Sequence, residues 1–386
     1  MSEFLIDADQ HTAEPKDLWE RWLPKKYLEL APKLVRDADG GDAWAYEPGR
    51  YGSMGIVSHM GESVRHTGLR YGETIPPAVY DGAARLLAMD QDGISAAVQF
   101  TPMRALLYWM NMRNRSRDAA LAGVQAYNDF LLDGFCKADP KRLIGVAQIP
   151  DTGITDAIAE LHRVKEKGCR GMVLKTWPSG EDRISVEDDK FWAVAEEMGM
   201  VICIHVGLKA GQSAALTEVP KKDKDPAKND GSQQMAALAW HGICFFTSFP
   251  DPMLQVIFSG VHDRFPKLKF VGAEVGVGWV PHVLDLMDDR FERNRKWTEM
   301  KLKRWPSDYF RDHWMLTFMR DKIGVKLRHE VGIRNMAWSS DFPHHGNDWP
   351  NSHRVFSGLV TGLDVSRDDR ERLMWKNAAE VWGIER

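Results

Sequence analysis

The feature that most constrains this chain is an alternation that runs through most of its length. Eight short apolar runs, Phe4–Asp9, Ser95–Phe100, Leu143–Ile149, Gly171–Lys175, Met200–His205, Lys269–Glu274, Trp314–Phe318 and Asn335–Asp341, are separated by longer stretches with a helical repeat. Near-continuous apolar runs of this length suit strands buried on both faces, as in a parallel sheet covered by helices. Helices are expected over Asp81–Asp92, Ser116–Lys137, Ile154–Lys167, Asp188–Met198, Val280–Arg295, Asp321–Val331 and Arg367–Trp382, with Gly168 and Gly199 as stop signals. Alternating strands and helices imply an α/β architecture. Eight such units within 386 residues favour a closed (β/α)8 TIM barrel. A doubly wound open sheet is the alternative, but no GxGxxG motif follows the first strand.

Residues 1–386 are read as one barrel domain with two departures from a minimal barrel. Residues 32–80, rich in glycine and charge, form an insertion in the N-terminal half. Residues 208–240 contain the charged run Lys221–Gly231 and are expected to form a mobile surface loop, placed just past a strand end where it could also serve as a lid. Hydrophobic residues make up 44% of the chain and charged residues 27%, enough apolar surface for a large core. The net charge of −4 argues against a nucleic-acid partner. No apolar run of about 18 residues predicts a membrane span. The acidic start, Met1–His11, has no signal-peptide core, and Cys136, Cys169, Cys203 and Cys244 have no metal-site or disulfide spacing. A reduced, cytoplasmic setting is therefore expected. The tryptophan-rich segment Trp297–Trp305 predicts a homodimer or higher homo-oligomer.

The strand ends carry the chemistry. In a parallel barrel all strand C-termini open on one face. Strand one runs into Asp9-Gln10-His11, strand five ends in His205, strand six in Glu274 and strand eight in Asp341. Oxygen and imidazole donors of this kind suit zinc, manganese or iron(II). Each has a plainer reading. Asp9 could cap the first helix near Pro15, His205 could be a hydrogen-bonded core histidine, and Asp341 before Phe342-Pro343 could make an Asx turn. Taken together at separate strand ends, they favour a metal centre. Glu14 is read either as orienting His11 or as a helix residue. His344 and His345 are candidate acid–base groups and His241 a candidate pocket residue. His262 is read as structural, and His162 and His313 as surface residues. Trp177 and Trp349, after strands four and eight, suggest an aromatic-walled pocket, while Arg65, Arg70 and Arg104 are candidate contacts for a substrate carboxylate.

Several segments resemble one family. They are Ile6–Pro15, Ala84–Asp90 (an R-x-x-x-M-D helix), Ile204–Gly207, Phe258–Pro266, Ser339–His344 and Lys376–Ala379. Together they resemble the amidohydrolase-related metal-dependent barrel enzymes grouped around aminocarboxymuconate-semialdehyde decarboxylase, and the likeness spans nearly the whole chain. The resemblance implies Asp9, His11, His205 and Asp341 as ligands of one divalent transition metal, zinc first and manganese as the alternative. It implies Asp341 as the proton-exchanging group; His344, Glu274 and His241 are further catalytic candidates read from their positions in the sequence. Decarboxylases of this family often carry histidine where this chain has Asp9 and Glu274. A carboxylate at the first position is familiar in relatives that decarboxylate hydroxybenzoates, whereas Glu274 is a departure. The expected activity is non-oxidative decarboxylation of a small aromatic or unsaturated carboxylic acid. Hydrolysis of an amide, ester or C–C bond by a metal-bound hydroxide is the alternative, and a non-catalytic ligand-binding barrel is a third reading.

Overall fold

The computed structural model describes residues 3–37, 39–47, 50–61, 67–101, 103–181, 183–206, 243–244 and 247–386. Eleven strands are seen among them. Strand β1 is Ile6–His11. Strands β2 (Lys33–Arg36), β3 (Asp42–Glu47) and β4 (Arg50–Ser53) follow. The remaining strands are β5 (Ala96–Phe100), β6 (Leu143–Gln148), β7 (Gly171–Leu174), β8 (Val201–His205), β9 (Lys269–Ala273), β10 (Trp314–Phe318) and β11 (Met336–Trp338). Strand β1 and strands β5 to β11 pair in parallel, in chain order, as one eight-stranded sheet wrapped by helices. This is the expected (β/α)8 barrel, and every barrel strand falls on one of the eight apolar runs.

The seam between β1 and β11 is closed by the segment just after β11. Asp341 N donates to Asp9 O at 3.0 Å and His11 N to Phe342 O at 2.7 Å. Ser340 N donates to the buried Asp7 carboxylate at 2.8 Å, and the Ser340 hydroxyl bonds its other oxygen. Gln10 Nε2 also donates to Asp7, at 2.8 Å. The barrel interior is filled by alternate strand residues, among them Ile6, Ala8, Val98, Val146, Val173, Cys203, Val271, Met315 and Ala337. The helices pack on the intervening positions, such as Ala97, Met172, Ile202, Phe270 and Leu316.

The anticipated helices form, with their caps. Asp81 accepts from Ala84 N at the start of Gly82–Asp92, and Ser116 accepts from Ala119 N at the start of Arg117–Asp129. The latter helix tightens and loosens at its end, passing through a π turn at Phe130–Phe135. Gly168 and Gly199 stop their helices at φ 84° and 60°, a region other residues enter at a cost. Helices over Met103–Met112, Pro250–Phe258, Pro306–His313 and Ser352–Val360 are also present among the described residues and were not anticipated. No helix among the described residues is long and apolar enough to cross a membrane.

The region 32–80 contains a three-stranded antiparallel sheet, β2-β3-β4. Its following segment reaches the barrel end that holds the strand C-termini: His59 N donates to Pro343 O at 2.9 Å and Asn347 Nδ2 to His59 O at 3.0 Å. The segment 208–240 lies outside the described residues.

Arg85, from the R-x-x-x-M-D helix, is completely buried and ties that helix to β1 and β5. Its Nε donates to Ala78 O at 2.7 Å, Nη1 to Gln10 Oε1 at 3.0 Å and Gln99 Oε1 at 2.7 Å, and Nη2 to His11 O at 2.7 Å. The guanidinium also lies over the Phe342 ring, 4.6 Å from its centroid. Arg85→Met keeps much of the volume but strands these acceptors in a dry interior. The expected cost is about 3–5 kcal/mol, read as a fall in the urea midpoint at unchanged slope. A loss below about 1 kcal/mol would show that the network contributes little.

Candidate metal centre

A register shift in β1 between Asp7 and Gln10 sets up the site. With Ile6 and Ala8 in the barrel interior, strict alternation would turn Gln10 inward. The irregularity changes the phase, so Gln10 reaches Arg85 outside while Asp9 and His11 face the centre. His205 continues the inward row of Val201 and Cys203 at the end of β8. Asp341 stands three residues past β11, and Glu274 one residue past β9.

Both of these acids adopt positive φ, 61° and 60°, which is uncommon outside glycine. The turn at Glu274 is held by its N–H, which donates to Thr317 Oγ1 at 2.8 Å. The turn at Asp341 is closed by main-chain bonds, with His344 N donating to Asp341 O at 2.8 Å. The Asx reading of Asp341 is therefore not what forms, because the side chain is turned to the barrel centre. Asp9 does not cap the first helix either: that helix is Leu18–Trp22, with Asp17 at its N-cap position.

The side chains converge. His11 Nε2 lies 3.6 Å from Asp9 Oδ1 and 3.2 Å from Asp341 Oδ1, and His205 Nε2 lies 3.5 Å from Asp9 Oδ1. His205 Nδ1 is 3.7 Å from Glu274 Oε2. Donor atoms of Asp9, His11 and His205 all lie within 4.8 Å of one another, and so do those of His11, Asp341 and His344. The His344 ring is 4.8 Å from the His11 ring, and Phe100 packs 5.3 Å from the His205 ring. Both Asp9 oxygens, both Nε2 atoms and Asp341 Oδ1 are buried without a hydrogen bond. Buried polar atoms are normally paired. Ligands about 2.1 Å from a common ion stand about 3.0–3.4 Å apart, close to the spacings seen here. The donor set thus fits a divalent transition metal.

The electrostatics point the same way. Burial pushes Asp9, Glu274 and Asp341 above the ordinary carboxylate range, and the neighbouring acids add to the effect on Glu274 and Asp341. Burial also drives His11 down to about 3 and His205 well below its usual value. Three carboxylates without enough positive charge are costly, and a bound cation relieves that cost.

Lys175 is a functional candidate that sequence reasoning passed over. It follows β7, is buried, and sits close enough to Glu274 and Asp9 to feel both charges, although burial dominates and lowers it to about 8. The signal was present: Val173 points into the barrel, so Lys175, two residues on, does too.

Other candidates fall elsewhere. His241 and Arg65 lie outside the described residues, as does the side chain of Arg104. His345 is exposed, and Arg70 pairs with Glu73 at 3.3 Å. Glu14 is buried just past β1, and its carbonyl accepts from the Tyr71 hydroxyl. Trp177 is buried, and Trp349 packs against the cluster of Ala78, Ala88 and Phe342, donating to Ala88 O at 2.9 Å. His262 is buried near the start of a short helix, as expected of a structural residue. His313 is a correction: it is buried, stacked on His262 with ring centroids 4.1 Å apart, because the chain turns inward there to begin β10.

A family model described as amidohydrolase matches residues 56–384. The chain is 23% identical over 317 residues to the gamma-resorcylate decarboxylase of Polaromonas sp. (strain JS666), covering 78% of this chain and 87% of that one. It is 23% identical over 313 residues to the 2-amino-3-carboxymuconate-6-semialdehyde decarboxylase of Dictyostelium discoideum, covering 79% and 77%. In fold it is similar to the crystal structure of a dihydroxybenzoic acid decarboxylase from Polaromonas sp. JS666 with bound manganese and the inhibitor 2-nitroresorcinol. That likeness has a TM-score of 0.62 at 18% identity and covers 100% of this chain and 98% of that one.

Proposed function

The chain belongs to the amidohydrolase family of enzymes, and from that premise we propose that it is a metal-dependent, non-oxidative decarboxylase of a small aromatic or unsaturated carboxylic acid. The observation that carries this reading is the meeting of Asp9, His11, His205 and Asp341, with unpaired donor atoms, at the C-terminal end of the barrel. These four residues would hold one divalent ion. Their oxygen and nitrogen donors suit zinc and manganese alike, and the manganese of the Polaromonas structure makes manganese at least as good a candidate here. When bound, such an ion supplies Lewis acidity and a template for the substrate carboxylate and a neighbouring oxygen.

The chain's own groups do the rest. Asp341 hands a proton to the carbon that bears the carboxylate. The new C–H bond is made by a π pair of the substrate; the bond to the carboxylate carbon then breaks, its electron pair restores the π system, and carbon dioxide leaves. Asp341 regains its proton from solvent, with His344 the nearest imidazole on its own loop. Glu274 and Lys175 set the charge beside it, and Phe100 keeps water from the inner side. The decarboxylase names of the relatives place this reading ahead of hydrolysis. The buried thiols of Cys136, Cys169 and Cys203 suit a reducing, cytoplasmic setting. The exposure of Trp297 at 74% and Trp305 at 43% supports association between copies.

The test is carbon dioxide release from a panel of hydroxybenzoates by protein loaded with manganese or zinc. Matching amounts of carbon dioxide and decarboxylated phenol are expected. Cleavage of esters or amides with no carbon dioxide from any acid would move the assignment to hydrolysis.

A further inference from the structure

Asp341 stands in a left-handed turn, φ 61°, a region that few residues other than glycine enter. Its two chain neighbours are tied down, and Ser340 makes most of the ties. The Ser340 hydroxyl donates to Asp7 Oδ2 and accepts from the N–H of Phe342 at 3.1 Å, so it bridges across Asp341. The Ser340 N–H donates to Asp7 Oδ1 at 2.8 Å. On the other side, the Phe342 carbonyl accepts from His11 N at 2.7 Å. The Asp341 carboxylate then emerges beside His11, with Oδ1 3.2 Å from His11 Nε2.

Asp7 is the fixed point of this clamp. Ile6 and Ala8 point into the barrel, so Asp7 lies behind β1 and faces away from the metal centre. It is completely buried, and among the described residues its oxygens accept from neutral groups only: Ser340, Gln10 Nε2 at 2.8 Å and Asp9 N at 3.3 Å. A carboxyl group buried without a cation is costly. An amide in its place would turn an N–H toward Gln10 or Ser340, which already offer donors. Gln10 Oε1 in turn accepts from Arg85 Nη1 and Gln99 Nε2, each at 3.0 Å. A buried polar row therefore runs behind the barrel wall from Arg85 to the turn at Asp341.

We propose that Asp7 and Ser340 are positioning residues for Asp341, holding its left-handed turn so that the carboxylate reaches the ion beside His11. This rests on the reading of Asp341 as a ligand in the proposed enzyme, but its test needs no turnover. The rival account is that these bonds only close the seam between β1 and β11. Their loss would then lower stability and leave the affinity for the ion alone.

Calorimetric titration of the metal-free full chain with manganese separates the two accounts, with melting of each metal-free protein measured alongside. Ser340→Ala is expected to weaken manganese binding about tenfold, the usual scale for a group that orients a ligand. Ser340→Thr keeps the hydroxyl and recovers most of that loss, and Asp7→Ala matches Ser340→Ala. Asp341→Gly keeps the left-handed backbone and removes the carboxylate. In that background Ser340→Ala should change manganese binding by less than about twofold, because the group it positions is gone. The proposal is overturned if Ser340→Ala lowers the melting temperature but leaves manganese affinity within about twofold. It is equally overturned if Ser340→Ala costs as much in the Asp341→Gly background as alone, or if the unaltered chain takes up no manganese. Absence of carbon dioxide from every hydroxybenzoate, with this coupling intact, would instead bring down the decarboxylase reading and leave the positioning role standing.

Discussion

Replacing Asp9 and His11 together by alanine is expected to give a folded protein that binds no transition metal and releases no carbon dioxide. The unaltered protein should carry about one equivalent by elemental analysis, lost entirely in the double variant. The fold should survive because these buried side chains are costly in the metal-free state. Their polar atoms are buried without hydrogen bonds, and removing such groups relieves a desolvation penalty. The metal-free variant should therefore melt no lower than metal-free unaltered protein. Adding manganese should raise the melting temperature of the unaltered protein alone, since only a native state with the site gains from binding. Retention of one equivalent in the double variant would place the ion elsewhere and undo the proposed mechanism at its first step.

Asp341→Asn separates holding the ion from moving the proton. Asparagine keeps an oxygen donor and tolerates the left-handed backbone at φ 61° better than most residues. Metal content should persist while kcat falls by about 10²–10⁴, the usual worth of a positioned acid or base. KM should move much less, because a proton handed over only in the transition state contributes little to ground-state binding. Full activity with the metal in place would remove Asp341 from proton transfer. Loss of the metal would show that its carboxylate charge is needed chiefly as a ligand.

The fold was unusually legible. Strands buried on both faces must be apolar throughout, so each of the eight barrel strands announced itself as a short run, and caps such as Asp81 and Ser116 marked the helix starts. The sheet of β2, β3 and β4 did not announce itself: its strands are short, partly exposed and mixed in charge, so no period stood out. Asp9, His11, His205 and Asp341 were visible as acids and imidazoles at strand ends, where packing gives no reason for them.

Lys175 was not visible in the same way. A lysine or arginine after an apolar run ordinarily reaches water, and nothing local tells the one that does from the one that cannot. Whether Lys175 is enclosed depends on the strands beside β7, which come from other parts of the chain.

The sequence by itself therefore determined the barrel, the order of its strands and the residue types gathered at its C-terminal end, because burial on two faces and the direction of parallel strands are local consequences of composition. The tertiary structure alone decided which groups meet. The phase change in β1 turns Asp9 and His11 inward, the bonds that Ser340 donates to Asp7 bring Asp341 to them, and closure of the sheet places Glu274 and Lys175 alongside. Those distances are set by how the eight strands close on one another, and no segment carries that information alone.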